Sequence, residues 1–412
     1  MTMLPCLSLR WQALVLGMGV GLALLYVMAG HAAVDAAYHG HSIFHGVLAD
    51  SADHPLRFYL RKADALAVYL LALWLAMLLT QYTIARRLGN ALRAPSLGDM
   101  LLDVLVFAFC LAGFFCFLLM YGQEREWYPI ARIMAFEGNP PFQHRILFVL
   151  PALALRAIFP AMPVLDAFLW SQMLAAALAL WAVRRLASLF IRPDLAFVAQ
   201  PLLLLMWAAT LRYYTFFDIG IMFVYALALY YLLAGAQRPY LLVFAVGTLN
   251  HESTLFLVLL SAAVLCRRIQ PIRLLRLLLL QLLLYCAVRA VLFALLPTHA
   301  AWESGKPAYN LFLLTHRPQE LLINLGPLLL WFGLASFGLR QAPAPLRWCL
   351  LLLPCLLVMT FLVGQLHEAR QFDAFIPVAA ALIASILADA SGALPARPLF
   401  RRGRMPVGQA AA

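Results

Sequence analysis

Apolar runs long enough to cross a lipid bilayer recur along the whole sequence, and no other feature limits the fold as strongly. A helix needs roughly 17–25 consecutive apolar residues to span the hydrocarbon core. These runs predict an all-α, polytopic bundle of transmembrane helices with about 10–12 membrane segments, some of them short or broken. The runs lie near residues 11–30, 63–82, 99–121, 163–185, 194–211, 217–234, 272–296, 319–339, 347–365 and 372–389.

The composition excludes an ordinary soluble protein. Hydrophobic residues make up 65% of the 412 residues and charged residues 12%, whereas soluble domains average roughly 45–50% and 25%. The gaps between the runs are too short for a sizeable soluble domain, so we predict one integral membrane unit. It divides into an N-terminal two-helix extension with an outward loop (residues 1–98), a transmembrane core (99–390) and a basic cytoplasmic tail (391–412) that we expect to be disordered.

The formal net charge of +12 is distributed in a way that predicts topology. Lys and Arg residues cluster in alternate loops, and basic loops of membrane proteins stay in the cytoplasm. Both termini are therefore predicted to be cytoplasmic, and no nucleic-acid partner is expected. The other loops face outward and hold most of the acidic residues; they are residues 31–62, 122–162, 212–217, 297–318 and 366–371.

Two apolar stretches do not fit a simple crossing. Residues 146–159 either cross the bilayer or lie along its surface, and residues 240–266, within the run Tyr240 to Arg268, have basic residues close to both ends. Two half-helices that meet at Asn250, His251 and Glu252 would keep both ends of the second stretch inside. Because a broken helix at membrane depth lines a cavity or protein, His251 and Glu252 are candidate cavity-lining residues. Alternatively, they satisfy the backbone groups that the break leaves free.

A pair of carboxylates follows the span at 99–121. Glu124 and Glu126 would lie at the outer membrane boundary, where partial desolvation tunes a carboxylate toward general-base work. Tyr128, nearby, is a candidate cavity-lining residue. The alternative is an ordinary belt of interfacial aromatic residues with solvated charges.

Polar residues also crowd the start of the stretch at 146–159. Pro140 and Pro141 stop any preceding helix, and Gln143, His144 and Arg145 follow them directly. A cation at the start of a helix is unfavourable for the helix dipole. Arg145 therefore predicts an anionic partner, and Gln143 is a candidate cavity-lining residue.

Two further polar positions stand at the outer ends of predicted spans. Asp218, preceded by Tyr214, is expected to face the protein interior, because a carboxylate that faces lipid is costly; its alternative role is to pair with Arg212. Glu368 and Arg370 share the short turn before the last span, which is predicted to be external. Arg370 would either clamp a phosphate with its planar fork of donors or form a structural ion pair with the nearby carboxylates.

From Glu124 onward, over about two thirds of the chain, the pattern resembles the GT-C superfamily of integral-membrane glycosyltransferases, in the form of uncharacterised bacterial members. The resemblance is carried by Glu124 and Glu126 with Tyr128 and Ala131 after a span, GNPPFQHRILFVLP at 138–151, a span that ends in WAVRRLASLF at 181–190, NHEST at 250–254 and HEAR at 367–370.

The resemblance implies a function and a location. The enzyme would move a sugar, with inversion, from a polyprenyl-phosphate-linked donor to a glycan, lipid or protein acceptor on the outer face of a bacterial inner membrane. Glu124 or Glu126 would act as the catalytic base, with Asp35, Asp50 and Asp53 as rivals. The donor phosphate would be held by Arg145, Arg370 and His144; the cavity would be lined by Gln143, Tyr128, Tyr214, Asp218, His251, Glu252 and Glu368.

Cofactor and function both leave alternatives open. No residue is assigned as a metal ligand, since Glu124-Arg125-Glu126 departs from the paired acids of metal-dependent members and no Cys-x-x-Cys is present; a divalent metal stays a possible cofactor. A transporter or flippase of a lipid-linked glycan or other anion is the second hypothesis, based on the broken helix. A non-catalytic membrane scaffold is the third.

Overall fold

The computed structural model describes residues 97–120, 130–137, 142–193, 195–210, 218–296, 306–340 and 342–390. The predicted spans at 11–30 and 63–82, the loop at 31–62 with Asp35, Asp50 and Asp53, and the tail at 391–412 lie outside these residues. The chain divides into two compact units, Met1–Leu102 and Asp103–Ala412. The first unit is described only at Leu97–Leu102, and the features below belong to the second.

The second unit is built of helices, and its described ranges contain no strand. The α-helices are α1 Leu97–Met120 (which begins in the first unit), α2 Ile130–Met134, α3 Val149–Ile158, α4 Val164–Ala187, α5 Ala199–Thr210, α6 Ile219–Ala234, α7 Gln237–Thr248, α8 Phe256–Leu265, α9 Pro271–Leu295, α10 Lys306–His316, α11 Pro318–Phe337, α12 Ala344–Trp348, α13 Leu352–Val363 and α14 Ile376–Ala390. Short 3₁₀ helices cover Phe142–His144, Ala196–Val198, Glu252–Leu255, Cys349–Leu351 and Ala369–Phe375.

Within the described ranges, four helical segments are long and apolar enough to cross a membrane. They are Val164–Ala187, Pro271–Leu295, Ala344–Val363 and Ala369–Ile386. Helix α3 is too short to cross: its 10 residues extend about 15 Å at 1.5 Å per residue, against a hydrocarbon core of about 30 Å. The stretch at 146–159 is therefore not a span.

Small residues bring the central helices together. Helix α4 packs along α6, and α14 packs against α4, α5, α6 and α11. Ala175, Ala176 and Ala179 of α4 are fully buried, as are Ala379 and Ala380 of α14. Side chains this small let helix backbones approach closely, as at helix interfaces in membranes. Helix α6 is buried on nearly all sides, so it forms the centre of the bundle.

The helix break predicted at Asn250, His251 and Glu252 is present. Helix α7 ends at Thr248, and a 3₁₀ turn from Glu252 leads into α8. The carbonyl of Leu249, freed by the break, accepts the backbone N–H of Ile146 at 2.9 Å and that of Leu147 at 3.3 Å. The break therefore anchors the segment that leads into α3.

Two loops differ from the sequence prediction. The outward loop predicted at 297–318 contains α10, whose buried Asn310 and Leu313 attach it to the bundle, where it packs against α11 and α13. Its apolar stretch is too short to be recognised as a span. The turn predicted at 366–371 contains the start of the 3₁₀ helix Ala369–Phe375, in which Arg370 and Asp373 are buried.

Candidate functional site

Six charged side chains from five separate parts of the chain meet at one place. We call them the charged cluster: Arg145, Asp218, Glu252, Arg289, Glu368 and Arg370. Carboxylates and guanidinium groups alternate through it, in the order Glu368, Arg370, Asp218, Arg145, Glu252, Arg289. With all six ionised, three positive and three negative charges cancel.

Asp218 is the centre of the cluster. It precedes the first residue of α6 and is 2% exposed. Its Oδ2 accepts from Nη1 of Arg370 at 3.0 Å, and its Oδ1 lies 3.4 Å from Nη1 of Arg145. The second amino group of Arg370 donates to Oε2 of Glu368 at 2.9 Å. Both arginines are thus fixed on one carboxylate.

The helix break supplies the second acid. Nη2 of Arg145 lies 3.5 Å from Oε2 of Glu252, and Nη2 of Arg289 donates to Oε1 of the same residue at 3.1 Å. Nδ1 of His251 lies 3.6 Å from Glu252, but it accepts the backbone N–H of Ser253, so it carries no proton to share with the carboxylate. His251 therefore positions the turn.

Residues at the start of the α3 segment pack on the end of α9. The side-chain amide of Gln143 and Nε2 of His144 both donate to the carbonyl of Leu296, at 2.9 and 3.0 Å. The His144 ring also meets Phe293 edge-on, with centroids 4.5 Å apart. Burial lowers the pKa of His144 from its ordinary value of 6.5, which favours a neutral ring.

Because the side chains of the cluster are largely buried, each charge needs an opposite charge beside it. Removing one partner of a buried ion pair leaves an uncompensated charge in a poor solvent for ions. The side chain of Glu252 is 24% exposed, against 6% for Arg145 and 3% for Asp218. Within the cluster, a ligand therefore has the best access to the Glu252 end.

The structure brings together all the predicted site residues that it describes. Gln143, His144, Arg145, Asp218, His251, Glu252, Glu368 and Arg370 all lie in or directly beside the charged cluster. The predicted catalytic bases Glu124 and Glu126, with Tyr128 and Tyr214, lie outside the described residues. The anionic partners that Arg145 meets are side chains of the protein itself, Asp218 and Glu252.

Arg289 is a member of the cluster that sequence analysis missed. It stands inside the apolar run at 272–296, and an ionisable residue within a span is by default a functional candidate. That rule alone would have selected it.

Among the described residues, no group of three or more His, Cys, Asp or Glu side chains is placed to hold a metal ion.

An apolar groove of about 530 Å³ runs between α3 and α4. It is lined by residues such as Pro151, Ile158 and Trp170, and its wall includes Ser171, whose hydroxyl donates to the carbonyl of Phe148. Phe148 stands three residues after Arg145. The groove therefore lies next to a segment that is close in sequence to Arg145 of the cluster. None of the predicted site residues lines it.

The chain matches no protein-family model, no curated protein and no solved structure.

Proposed function

We propose that this protein is an integral-membrane glycosyltransferase of the GT-C type, which transfers a sugar from a polyprenyl-phosphate donor to an acceptor hydroxyl on the outer face of the membrane. The observation that supports the proposal most is the convergence of Arg145 and Arg370 on Asp218. Transfer leaves a lipid phosphate behind, and guanidinium groups held in a fixed geometry stabilise a departing phosphate without reorganising.

The two arginines are held differently, and this suggests separate roles. The contacts of Arg370 with Asp218 and Glu368 are short, at 3.0 and 2.9 Å. The contacts of Arg145 with Asp218 and Glu252 are longer, at 3.4 and 3.5 Å. Replacing a carboxylate contact by a contact with a phosphate oxygen therefore costs less free energy at Arg145 than at Arg370. Arg370 keeps Asp218 in place.

The position of the cluster along the helices supports an outward-facing site. Arg289 lies 18 residues, about 27 Å at 1.5 Å per residue, beyond Pro271, where α9 begins close to Arg273 and Arg276. The cluster is therefore near the end of α9 that is remote from its basic end. Since basic ends stay cytoplasmic, a polyprenyl-phosphate donor would meet the cluster from the outer leaflet.

A transfer assay tests the proposal. The full chain in proteoliposomes is given polyprenyl phosphates that carry labelled glucose, mannose, galactose or arabinose, and transfer to an added glycan or lipid acceptor is measured. Replacing both Glu124→Gln and Glu126→Gln should abolish product, because the base is lost. The exposed Glu137→Gln is the matched control. Product unchanged in the double variant would exclude these bases, and no product from any donor with the wild type would end the proposal.

Arg145→Gln tests the phosphate contact. It should raise the KM for the donor about tenfold or more, in line with the loss of a charge-assisted hydrogen bond, whereas the exposed Arg132→Gln should not. Equal KM values for the two variants would remove Arg145 from the donor site.

Transport of a lipid-linked anion is a second candidate, favoured by the helix break between α7 and α8. The carbonyl of Leu249 at the break is already occupied by Ile146 and Leu147, which leaves that group no role in coordinating a substrate. Movement of a labelled donor across the proteoliposome membrane without covalent product would favour transport.

A further inference from the structure

Nδ1 of His144 and Nη1 of Arg289 are among the buried side-chain atoms in or beside the charged cluster that have no hydrogen-bond partner among the described residues. Both side chains pack on Phe293: the His144 ring lies 4.5 Å from its centroid, and the Arg289 guanidinium carbon lies 5.2 Å from it. Buried polar atoms are almost always hydrogen-bonded, so each orphan calls for an explanation such as a ligand or a water.

The hydrogen bond at the other side of the imidazole defines what Nδ1 can do. The Leu296 carbonyl can only accept, so Nε2 of His144 carries the hydrogen in their 3.0 Å contact. In a neutral imidazole, Nδ1 is then an acceptor. Nη1 of Arg289 can only donate. Nδ1 of His144 therefore requires a hydrogen-bond donor, and Nη1 of Arg289 requires an acceptor, in the same region of the structure.

A hydroxyl group supplies both, because its oxygen accepts while its hydrogen is donated. An ionised phosphate oxygen has no hydrogen to give and would face the lone pair of Nδ1. In addition, Glu252 already pairs with Nη2 of Arg289 at 3.1 Å and compensates its charge. The pair is thus better suited to a neutral hydroxyl than to an anion.

We propose that His144 and Arg289 form a subsite for one hydroxyl group of a sugar, which donates to Nδ1 of His144 and accepts from Nη1 of Arg289. The identification of the ligand as a sugar rests on the proposed function. This differs from the role predicted for His144 from sequence, in which it donates to the lipid phosphate. It also gives Arg289 a role separate from those of Arg145 and Arg370.

The test separates sugar binding from phosphate binding. Affinities of the purified full chain are measured for bare polyprenyl phosphate and for the same lipid carrying glucose, mannose, galactose or arabinose. The ratio of the two dissociation constants is the sugar's contribution. We expect at least one sugar to raise the affinity of the wild type about tenfold, the equivalent of 1.4 kcal/mol.

Two substitutions of His144 form a matched pair. His144→Gln places an amide N–H where Nε2–H lies, so it keeps the bond to Leu296 and loses the acceptor at Nδ1. His144→Asn keeps an acceptor near Nδ1 and loses the bond to Leu296. The sugar's contribution should vanish in the Gln variant and largely persist in the Asn variant, while the affinity for bare polyprenyl phosphate stays unchanged in both.

Deoxy donors locate the hydroxyl and distinguish its source. Removing the bound hydroxyl from the donor sugar should cost the wild type about tenfold in affinity and cost His144→Gln nothing further. If every deoxy donor binds like its parent, the hydroxyl belongs to the acceptor, and the same loss should be found in a deoxy-acceptor series. Arg289→Lys, which keeps a positive charge near Glu252 but lacks the planar fork, should reduce the sugar's contribution and serves in place of His144→Gln if that variant does not fold.

Several results would overturn the proposal. Equal effects of His144→Gln and His144→Asn, or an equal loss for bare and glycosylated lipid, would show a structural role or a phosphate contact. If His144→Gln changes neither the contribution of the donor sugar nor the affinity for the acceptor, a buried water fills the space instead of a sugar hydroxyl. The same conclusion follows if neither a donor sugar nor an acceptor hydroxyl improves binding to the wild type. The sugar's contribution to affinity could depend on His144 while the transfer assay gives no product. That result would contradict the proposed function and would still support the subsite.

Discussion

Arg370 donates from Nη1 to Oδ2 of Asp218 over 3.0 Å, although 152 residues separate them in the chain. Both side chains are buried, with 7% and 3% of their surface exposed. Two charges in this environment stabilise the fold only as long as they compensate each other. The pair therefore joins the start of α6 to the 3₁₀ helix that precedes α14.

Asp218→Asn should destabilise the protein strongly. The amide keeps the shape of the carboxylate but leaves the guanidinium groups of Arg145 and Arg370 without its charge, and breaking a buried pair in this way costs about 3–5 kcal/mol. The thermal unfolding midpoint of the detergent-solubilised protein should fall well below that of the wild type. Asp166→Asn, at the exposed start of α4, is the control. Similar midpoints for the two variants would show that the network adds little to stability.

Gly220→Ala should also destabilise, through packing. A Cβ at this position would lie 2.6 Å from the ring of Phe148 and 2.8 Å from Oδ1 of Asn250. Overpacking of this kind typically costs about 1–3 kcal/mol, and it would push apart two segments that bracket the charged cluster. Gly333→Ala is the matched control, because nothing lies within 4 Å of its Cβ and Ala is the better helix former. The unfolding midpoint of Gly333→Ala should equal that of the wild type or lie slightly above it. If Gly220→Ala unfolds at as high a temperature as Gly333→Ala, the close approach at Gly220 is refuted.

Asn310 should be essential for the end of α13. Its amide nitrogen donates to the carbonyls of Thr360, Phe361 and Gly364 at 3.2, 2.9 and 3.0 Å, and its oxygen accepts the N–H of Leu366 at 2.9 Å. Leaving a buried donor or acceptor unsatisfied costs about 1–3 kcal/mol. Asn310→Leu should therefore lower the unfolding midpoint and increase proteolysis between residues 364 and 368.

Asn310→Asp separates the donor from the acceptor function. It retains the acceptor for Leu366 but turns a carboxylate toward three carbonyl oxygens, so it should be at least as destabilising as Asn310→Leu. Thr315→Ala removes an exposed hydroxyl from the same helix and should leave the midpoint unchanged. An Asp variant as stable as the wild type would contradict the capping role.

The stability of the protein should depend on pH through His144. Burial lowers its pKa from 6.5, the positive charge of Arg289 acts in the same direction, and the Leu296 carbonyl and Glu252 partly oppose both. The unfolded chain then binds a proton at this site more readily than the folded one, so stability falls as pH drops below 6.5. Unfolding midpoints measured from about pH 8 to about pH 5 should fall more steeply for the wild type than for His144→Gln. Parallel curves would mean that His144 titrates alike in both states.

Much of the helical layout follows from local sequence. The runs at 163–185, 217–234 and 272–296 correspond to α4, α6 and α9, because a helix satisfies its own backbone and its apolar length can be read along one segment. Basic residues near both ends of the stretch at 240–268 also indicated the break. Helix α10 was not predicted, since its attachment depends on Asn310 bonding to a segment more than 50 residues away.

Local sequence patterns were enough to establish that the chain is helical and apolar, where its long helices lie, and which polar residues stand at their ends. The sharing of Asp218 by Arg145 and Arg370, and the contact of Arg289 with Glu252 that completes the cluster, became visible once the helices were packed. The difference lies in the range of the interactions. Helix formation depends on neighbours along the chain, whereas the partner of a buried charge is set by which helices pack together, and residues 37 to 152 positions apart leave no local pattern of their pairing.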